Sequence, residues 1–129
     1  MIKVETKNLE KLEENIGYKF TNKKLLQNAL THTSYAYEHG VQSNEKLEFL
    51  GDSILEFVSS EYMYNKYLNL KEGQLTKVRA TVVCEKSLYK VATAHNFGEF
   101  LYLGKSEIKS GGSKRPAILA DSVEAVIAA

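Results

Sequence analysis

Apolar residues recur three or four positions apart along most of the chain, which is the spacing that places them on one face of an α-helix. This spacing predicts a first helix that ends at Gly17, a second that begins at Thr21, and a long central helix from Asn44 toward Tyr62. In the central helix the apolar positions form a stripe of Leu47, Leu50, Ile54 and Val58. Convincing strand patterns with hairpin turns are lacking, so the sequence predicts an all-α fold.

The second half of the chain continues the helical pattern. Helices are predicted after Glu72 and Gly73 through Thr76 to Val83, from about residue 84 to 95, and from Pro116, a residue that the first turn of a helix tolerates. Residues 31–43 are expected to form a connection, and the polar residues 104–115 a mobile basic loop. The last helix has no C-terminal cap, so we expect the sequence to end within or just after a helix.

Composition predicts one domain over residues 1–129, because 43% hydrophobic content in 129 residues suits a single core. The formal net charge of +1 lacks the positive excess of a domain that holds nucleic acid by charge alone. A single cysteine excludes an internal disulfide, and a structural zinc site is not expected. With no signal peptide or apolar run long enough to span a bilayer, we expect a cytoplasmic protein without a membrane partner.

Two pairs of acidic residues interrupt apolar helices. Glu48 and Asp52 share one helix face, and Asp121 and Glu124 share another. Two ionised carboxylates about 5 Å apart repel by roughly 3 kcal/mol at an effective dielectric of about 20. Raised pKa values or nearby cationic side chains could offset this repulsion, but neither pair has a basic residue on its own face. A bound divalent cation is the remaining simple answer, and oxygen ligands suit Mg²⁺, with Mn²⁺ as a substitute.

Alternatives remain open at this point. Each acid pair taken alone is also compatible with a solvated helix face, and spacing does not show that the two pairs meet in space. Gly51 costs roughly 1 kcal/mol relative to alanine in mid-helix, which indicates that something approaches the backbone there. A close crossing of another helix explains this glycine as well as a ligand does.

Four stretches resemble, in order, the endonuclease domain of the ribonuclease III family. They are THTSYAYE at 31–38, NEKLEFLGDSILEF at 44–57, EGQLTKVRATVV at 72–83 and GGSKRPAILADSVEAVI at 111–127. The resemblance is strongest to the bacterial enzyme and implies a homodimeric helical bundle that cleaves double-stranded RNA in rRNA and mRNA processing. It also implies metal-activated water as the nucleophile, products with 5′-phosphate and 3′-hydroxyl at staggered ends, and a C-terminal double-stranded-RNA-binding domain, which we expect to be absent from residues 1–129.

The resemblance also joins the acids into one site. It implies Glu48, Asp52, Asp121 and Glu124 as metal-binding residues, Asp52 and Glu124 as catalytic residues, and Glu45 and Glu72 as further acids near the site. Glu45 is explained equally well by a favourable interaction of its charge with the N-terminus of the helix, and Glu72 by a position in a solvated loop.

Further residues are implied outside the acidic site. Phe49 matches an aromatic that inserts into a pocket of the partner subunit, although an ordinary core position would also explain it. The resemblance also implies contacts to the phosphates and 2′-hydroxyls of RNA, made by Lys105, Lys109, Lys114 and Arg115. The alternative is that these residues form a solvated basic loop without a partner. His32 lies in the THTS match and is expected to fix local packing only.

A different function on the same fold is a non-catalytic RNA-binding or ribosome-associated scaffold, as in degenerate relatives of the family. The presence of all four acids favours the enzyme. Val123 and Ala128 depart from residues that are common in the family, but these differences leave the acids untouched. A third interpretation, independent of the fold, is a helical interaction module whose acids only decorate its surface.

Overall fold

The computed structural model describes residues 7–129 and consists of helices. The α-helices are α1 (Leu9–Ile16), α2 (Lys23–Ala29), α3 (Thr33–His39), α4 (Glu45–Lys66), α5 (Glu72–Val82), α6 (Glu85–Ala94), α7 (Lys105–Lys109) and α8 (Pro116–Ala128). Short 3₁₀ helices cover Phe97–Phe100 and Gly112–Lys114. Extended pairing within residues 7–129 is limited to one isolated bridge between Thr31 and Tyr102. The predicted all-α helical bundle is confirmed.

Helix α8 is the centre of the bundle. It packs against α4 on one side and α6 on another, and its mostly apolar sequence is buried at seven positions, from Ile118 to Val126. The rest of the core comes mainly from α1, α2, α3, α6 and the segment around Phe97–Phe100. None of the helices in the described part of the chain combines the length and apolar character needed to cross a membrane. Because α8 is buried at so many positions, its acids project from the most deeply packed helix of the fold.

The expectation that residues 31–43 form only a connection is wrong, since they contain α3. The side chain of His32 caps this helix by accepting the backbone N–H of Ser34, and Gly40 ends it in the left-handed conformation with φ of 63°. These capping residues define a helix of only seven residues, which is too short to show a clear apolar period.

The residues that precede α2 and α4 also differ in detail from expectation. Asn22, rather than Thr21, caps α2 by accepting the N–H of Leu25. Asn44 precedes α4 as predicted, but its side-chain amide donates to the carbonyl of Ala29 at 3.0 Å instead of capping the helix. Its backbone N–H donates to the carbonyl of Thr31 at 2.8 Å. The start of α4 is thereby fixed to the chain between α2 and α3.

The expectation of a mobile loop over residues 104–115 is also wrong. The segment folds into α7 and a 3₁₀ turn, and its first two N–H groups donate to α3: Gly104 to Ser34 Oγ at 2.8 Å and Lys105 to Glu38 Oε2 at 2.7 Å. Arg115 Nη1 forms an ion pair with Glu107 Oε1 at 2.8 Å across the segment. Contacts with α3 and this internal pair give the segment a defined structure that its polar composition does not reveal.

The apolar stripe expected in α4 is only partly buried. The buried residues of α4 are Gly51, Ser59 and Met63, which lie outside the stripe, whereas Leu50 and Val58 of the stripe are about half exposed. Phe49 is 79% exposed, and Phe57 and Tyr64 are also exposed on the same helix. We call Phe49, Leu50, Phe57 and Tyr64 the outer face of α4. Exposed apolar surface on this scale is typical of an interaction site.

Candidate metal centre

Gly51 is the point at which α8 crosses α4. A Cβ atom on Gly51 would lie 1.7 Å from the backbone carbonyl oxygen of Glu124, so no side chain fits between the two helices. The structure therefore favours helix crossing as the explanation of this glycine. Because the residue that approaches is Glu124, the same contact brings an acid of α8 beside the acids of α4.

The crossing assembles four carboxyl groups. Single oxygen atoms from Glu48, Asp121 and Glu124 all lie within 4.8 Å of one another. Across the two helices Glu48 lies beside Asp121 and Asp52 beside Glu124, each pair close enough to share a proton. We call this group the acidic cleft; it opens on a surface cavity of about 380 Å³ that Glu45 and Phe49 also line.

Partial burial makes the acidic cleft costly to ionise. Burial, and then the hydrogen bond to and charge of Asp52, raise the pKa of Glu124 to about 8. Burial and the neighbouring Asp121 raise the pKa of Glu48 to about 7, and burial also raises the pKa of Asp121. Among residues 7–129, none of the side chains named as causes of these three pKa shifts is a lysine or an arginine. Half-buried oxygen donors without a cationic side chain are chemically suited to a hard divalent cation.

These pKa values predict how pH affects the stability of the metal-free protein. The folded state holds protons on Glu48 and Glu124 up to about pH 7 and 8, whereas the ordinary pKa is 4.5. Since the folded state binds more protons than the unfolded chain in this window, its stability falls as the pH rises from about 5 to 8. We expect the Tm in EDTA to fall more steeply for the wild type than for the Glu48→Gln/Glu124→Gln variant. Parallel Tm curves for the two proteins would contradict these shifts.

The other predicted acids lie in different places. Glu45 lines the acidic cleft, and its charge contributes to the raised pKa of Glu48. Glu72 does not line it: it is the first residue of α5 and borders a separate cavity of about 540 Å³ between α4 and α5. Phe57, Met63 and Tyr64 line that second cavity, which we call the α4–α5 cavity.

The cations expected to contact RNA are on the ordered segment that precedes α8. Lys105, Lys109 and Lys114 are exposed, and their ammonium groups make no ion pair within residues 7–129. Arg115 differs, because it pairs with Glu107 and its guanidinium also donates to the Ser110 carbonyl at 3.3 Å. This ion pair links α7 to the residue that directly precedes α8.

Two further residues lie near the acidic cleft without having been predicted there. The charge of Glu85 raises the pKa of Asp121, and that of His32 lowers it. Both residues are distant from Asp121 in sequence and come from the starts of α6 and α3. Helical spacing relates residues of one helix only, so it carries no signal for this convergence.

Comparisons with known proteins agree with this architecture. A sequence profile of the family described as Ribonuclease-III-like matches residues 22–129. The chain is 50% identical over 123 residues to Ribonuclease 3 of Listeria innocua, covering 93% of this chain and 54% of that protein. It is 51% identical over 123 residues to Ribonuclease 3 of Geobacillus thermodenitrificans, covering 93% and 50%. The chain thus spans about half the length of the curated relatives it matches.

A solved structure extends the comparison to three dimensions. The nuclease domain of ribonuclease III from Campylobacter jejuni matches with a TM-score of 0.88 and 44% sequence identity, covering 94% of this chain and 82% of that one. That structure is described as flexible in a region involved in dimer formation. The match extends over nearly all of the described helices.

Proposed function

Since this chain belongs to the ribonuclease III family, we propose that it is a metal-dependent endoribonuclease that cuts double-stranded RNA. Its products are staggered ends with 5′-phosphate and 3′-hydroxyl groups, and its role is rRNA and mRNA processing in the cytoplasm. The observation that carries the proposal is the convergence of acids from α4 and α8, with which no lysine or arginine of residues 7–129 forms an ion pair.

Glu48, Asp121 and Glu124 are the residues that we propose to hold Mg²⁺, with Mn²⁺ as a substitute, because their oxygen atoms already lie within 4.8 Å of one another. When bound, such a cation lowers the pKa of coordinated water and neutralises charge on a phosphoryl group. Asp52 lies beside Glu124, and we propose that it completes the set of acids around the cation. Asp52 and Glu124 are the residues that we propose to face the scissile phosphate.

The ordered basic segment is proposed to contact the RNA backbone. Lys105, Lys109 and Lys114 offer unpaired ammonium groups, whereas Arg115 acts mainly by stabilising the segment through Glu107. Duplex RNA is recognised largely through its phosphates and 2′-hydroxyls, so few base contacts are needed. With a formal net charge of only +1, this chain should bind duplex RNA weakly and with a marked dependence on salt.

A homodimer gives the outer face of α4 a partner. Phe49 is 79% exposed at the rim of the acidic cleft, and the α4–α5 cavity is lined by apolar side chains together with polar and charged ones such as Glu61 and Arg79. We propose that Phe49 of the partner subunit enters this cavity. Because Glu72 borders the same cavity, this docking would place Glu72 beside the acidic cleft of the partner subunit. The dimer therefore accounts for an acid that lies outside the cleft of its own chain.

Substitution of Phe49 by alanine should dissociate the dimer. Buried aromatic anchors contribute at least about 2 kcal/mol each, and each subunit supplies one, so we expect dimer affinity to fall by about 10³-fold. Sedimentation equilibrium measures the dissociation constant, with Tyr37→Ala, which removes a 91% exposed aromatic of α3, as the control. An unchanged dimer in Phe49→Ala would refute this docking mode.

Cleavage itself is tested with the purified chain and a long RNA duplex. We expect Mg²⁺-dependent cutting into short duplexes whose 5′ ends become labelled by a polynucleotide kinase only after phosphatase treatment. Activity that persists in EDTA would contradict metal dependence. Binding of the duplex without any cutting would instead support the non-catalytic scaffold.

A further inference from the structure

The α4–α5 cavity has an excess of negative charge on its walls. Its charged lining residues are Glu61, Glu72 and Arg79. The charge of Arg79 is already neutralised within its own chain, because Nε lies 3.2 Å from Glu56 Oε2, and Nη1 donates to Ser60 Oγ at 2.9 Å. Within residues 7–129 the carboxylate of Glu61 has neither an ion pair nor a hydrogen bond. A partner that fills this cavity can therefore gain from a positive charge at its rim.

Lys46 supplies such a charge one turn before Phe49 on α4. It is exposed, and within residues 7–129 its ammonium group makes no ion pair. Residues three apart on a helix have Cβ atoms about 5–6 Å apart, so the long side chain of Lys46 reaches the rim of a cavity that Phe49 enters. At 3.6 residues per turn, Lys46 is rotated by about 60° to one side of Phe49. Glu48 and Asp52 of the acidic cleft are rotated to the other side.

This arrangement determines which wall of the α4–α5 cavity Lys46 faces. One wall consists of residues of α4, Glu61 among them, and the other consists of residues of α5, Glu72 among them. The proposed docking of Phe49 places the α5 wall beside the acidic cleft of the partner subunit. Since Lys46 lies on the side of Phe49 that is away from the cleft, it faces the α4 wall. The unpaired acid on that wall is Glu61.

Building on the homodimer proposed above, we propose that Lys46 forms an ion pair with Glu61 of the partner subunit at the rim of the α4–α5 cavity. A two-fold interface uses the same surface patch on both copies, so this ion pair occurs twice in the dimer. Charges at an interface rim guide association and partner choice. The ion pair thus makes the outer face of α4 selective for a second copy of this chain, because a partner that lacks either charge leaves the other unpaired.

Charge reversal at either position places like charges together twice in the dimer. We expect Lys46→Glu and Glu61→Lys each to weaken the dimer by about 10–100-fold in sedimentation equilibrium at low salt, and this loss to shrink at high salt. An equimolar mixture of the two variants should form a heterodimer with wild-type affinity, since opposite charges then meet at both positions. Lys11→Glu is the matched control, because Lys11 is an exposed lysine of α1 that lines neither the acidic cleft nor the α4–α5 cavity.

The outcomes distinguish the ion pair from the homodimer itself. Wild-type dimer affinity in both single variants overturns the ion pair alone, whereas a monomeric wild type overturns the homodimer and the ion pair with it. Native mass spectrometry identifies the composition of the mixed dimer. A mixture that stays monomeric, or that is rescued by Glu72→Lys in place of Glu61→Lys, overturns the assignment to Glu61. Lys46 and Glu61 are both exposed, so the fold should persist in each variant, which its Tm checks.

Discussion

Replacing Glu124 with glutamine will reduce cleavage of duplex RNA by at least about 10³-fold at saturating Mg²⁺, since charge stabilisation by a bound metal is worth several kcal/mol and each 1.36 kcal/mol is tenfold in rate. Glutamine keeps the shape of the side chain and can still hydrogen-bond to Asp52, so the helix crossing should persist. The variant loses one charged oxygen donor of the three that lie within 4.8 Å of one another.

The measurement is the single-turnover rate on a labelled duplex, together with Mn²⁺ affinity by calorimetry. Asp121→Ala should lose cleavage in the same way, while the dimer persists in both variants. Glu10→Gln is the matched control, because Glu10 is an exposed acid of α1 outside the acidic cleft. A Glu124→Gln protein with wild-type cleavage would reject the assignment of this residue.

Replacing Gly51 with alanine will destabilise the protein by about 3 kcal/mol or more, at the upper end of the cost of overpacking. The added methyl group would lie 1.7 Å from the carbonyl oxygen of Glu124, and backbone atoms on both helices leave no flexible side chain to move aside. Helices α4 and α8 must therefore separate. That separation also moves the Glu124 carboxyl group away from Asp52, so Mn²⁺ affinity should fall together with stability.

Gly73→Ala offers a control of opposite sign. Gly73 lies in the first turn of α5, and nothing lies within 4 Å of a Cβ atom placed there. Alanine at an unstrained helical position should stabilise by about 0.4–1 kcal/mol. Urea unfolding of both variants gives the comparison, and a Gly51→Ala protein as stable as the wild type would contradict the close helix crossing.

Much of the fold could be predicted from the helical spacing of apolar residues and from the residues that cap helices. The long helix after Asn44, the break at Gly17 and the proline at the start of α8 follow from local physical chemistry. Helix α3 and the ordered segment from Gly104 to Arg115 could not be found in this way, because contacts between elements stabilise them: Ser34 and Glu38 bind the start of α7.

The spacing of apolar residues also did not show which face of α4 is buried. Apolar residues occur on two sides of this helix, and one of the two is the exposed outer face, where Phe49 and Phe57 are solvent-accessible in the single chain. A single sequence does not separate residues buried in the monomer from residues that a second subunit would cover. The apolar stripe therefore predicted the helix correctly and its buried side only in part.

The acidic cleft, too, could be predicted from the sequence only in part. Spacing put each acid pair on one helix face, but their meeting depends on where α8 crosses α4, which is a tertiary property. Gly51 marked that place without identifying what approaches it. The positions of His32 and Glu85 near Asp121 had no local signal, because each comes from the start of a different helix.

Anomalous diffraction from crystals grown with Mn²⁺ tests the account most directly, since it locates the cation without reference to activity. We expect an anomalous peak about 2.1 Å from carboxylate oxygens of Glu48, Asp121 and Glu124. Ordered density for these carboxyl groups without a manganese peak beside them would contradict it.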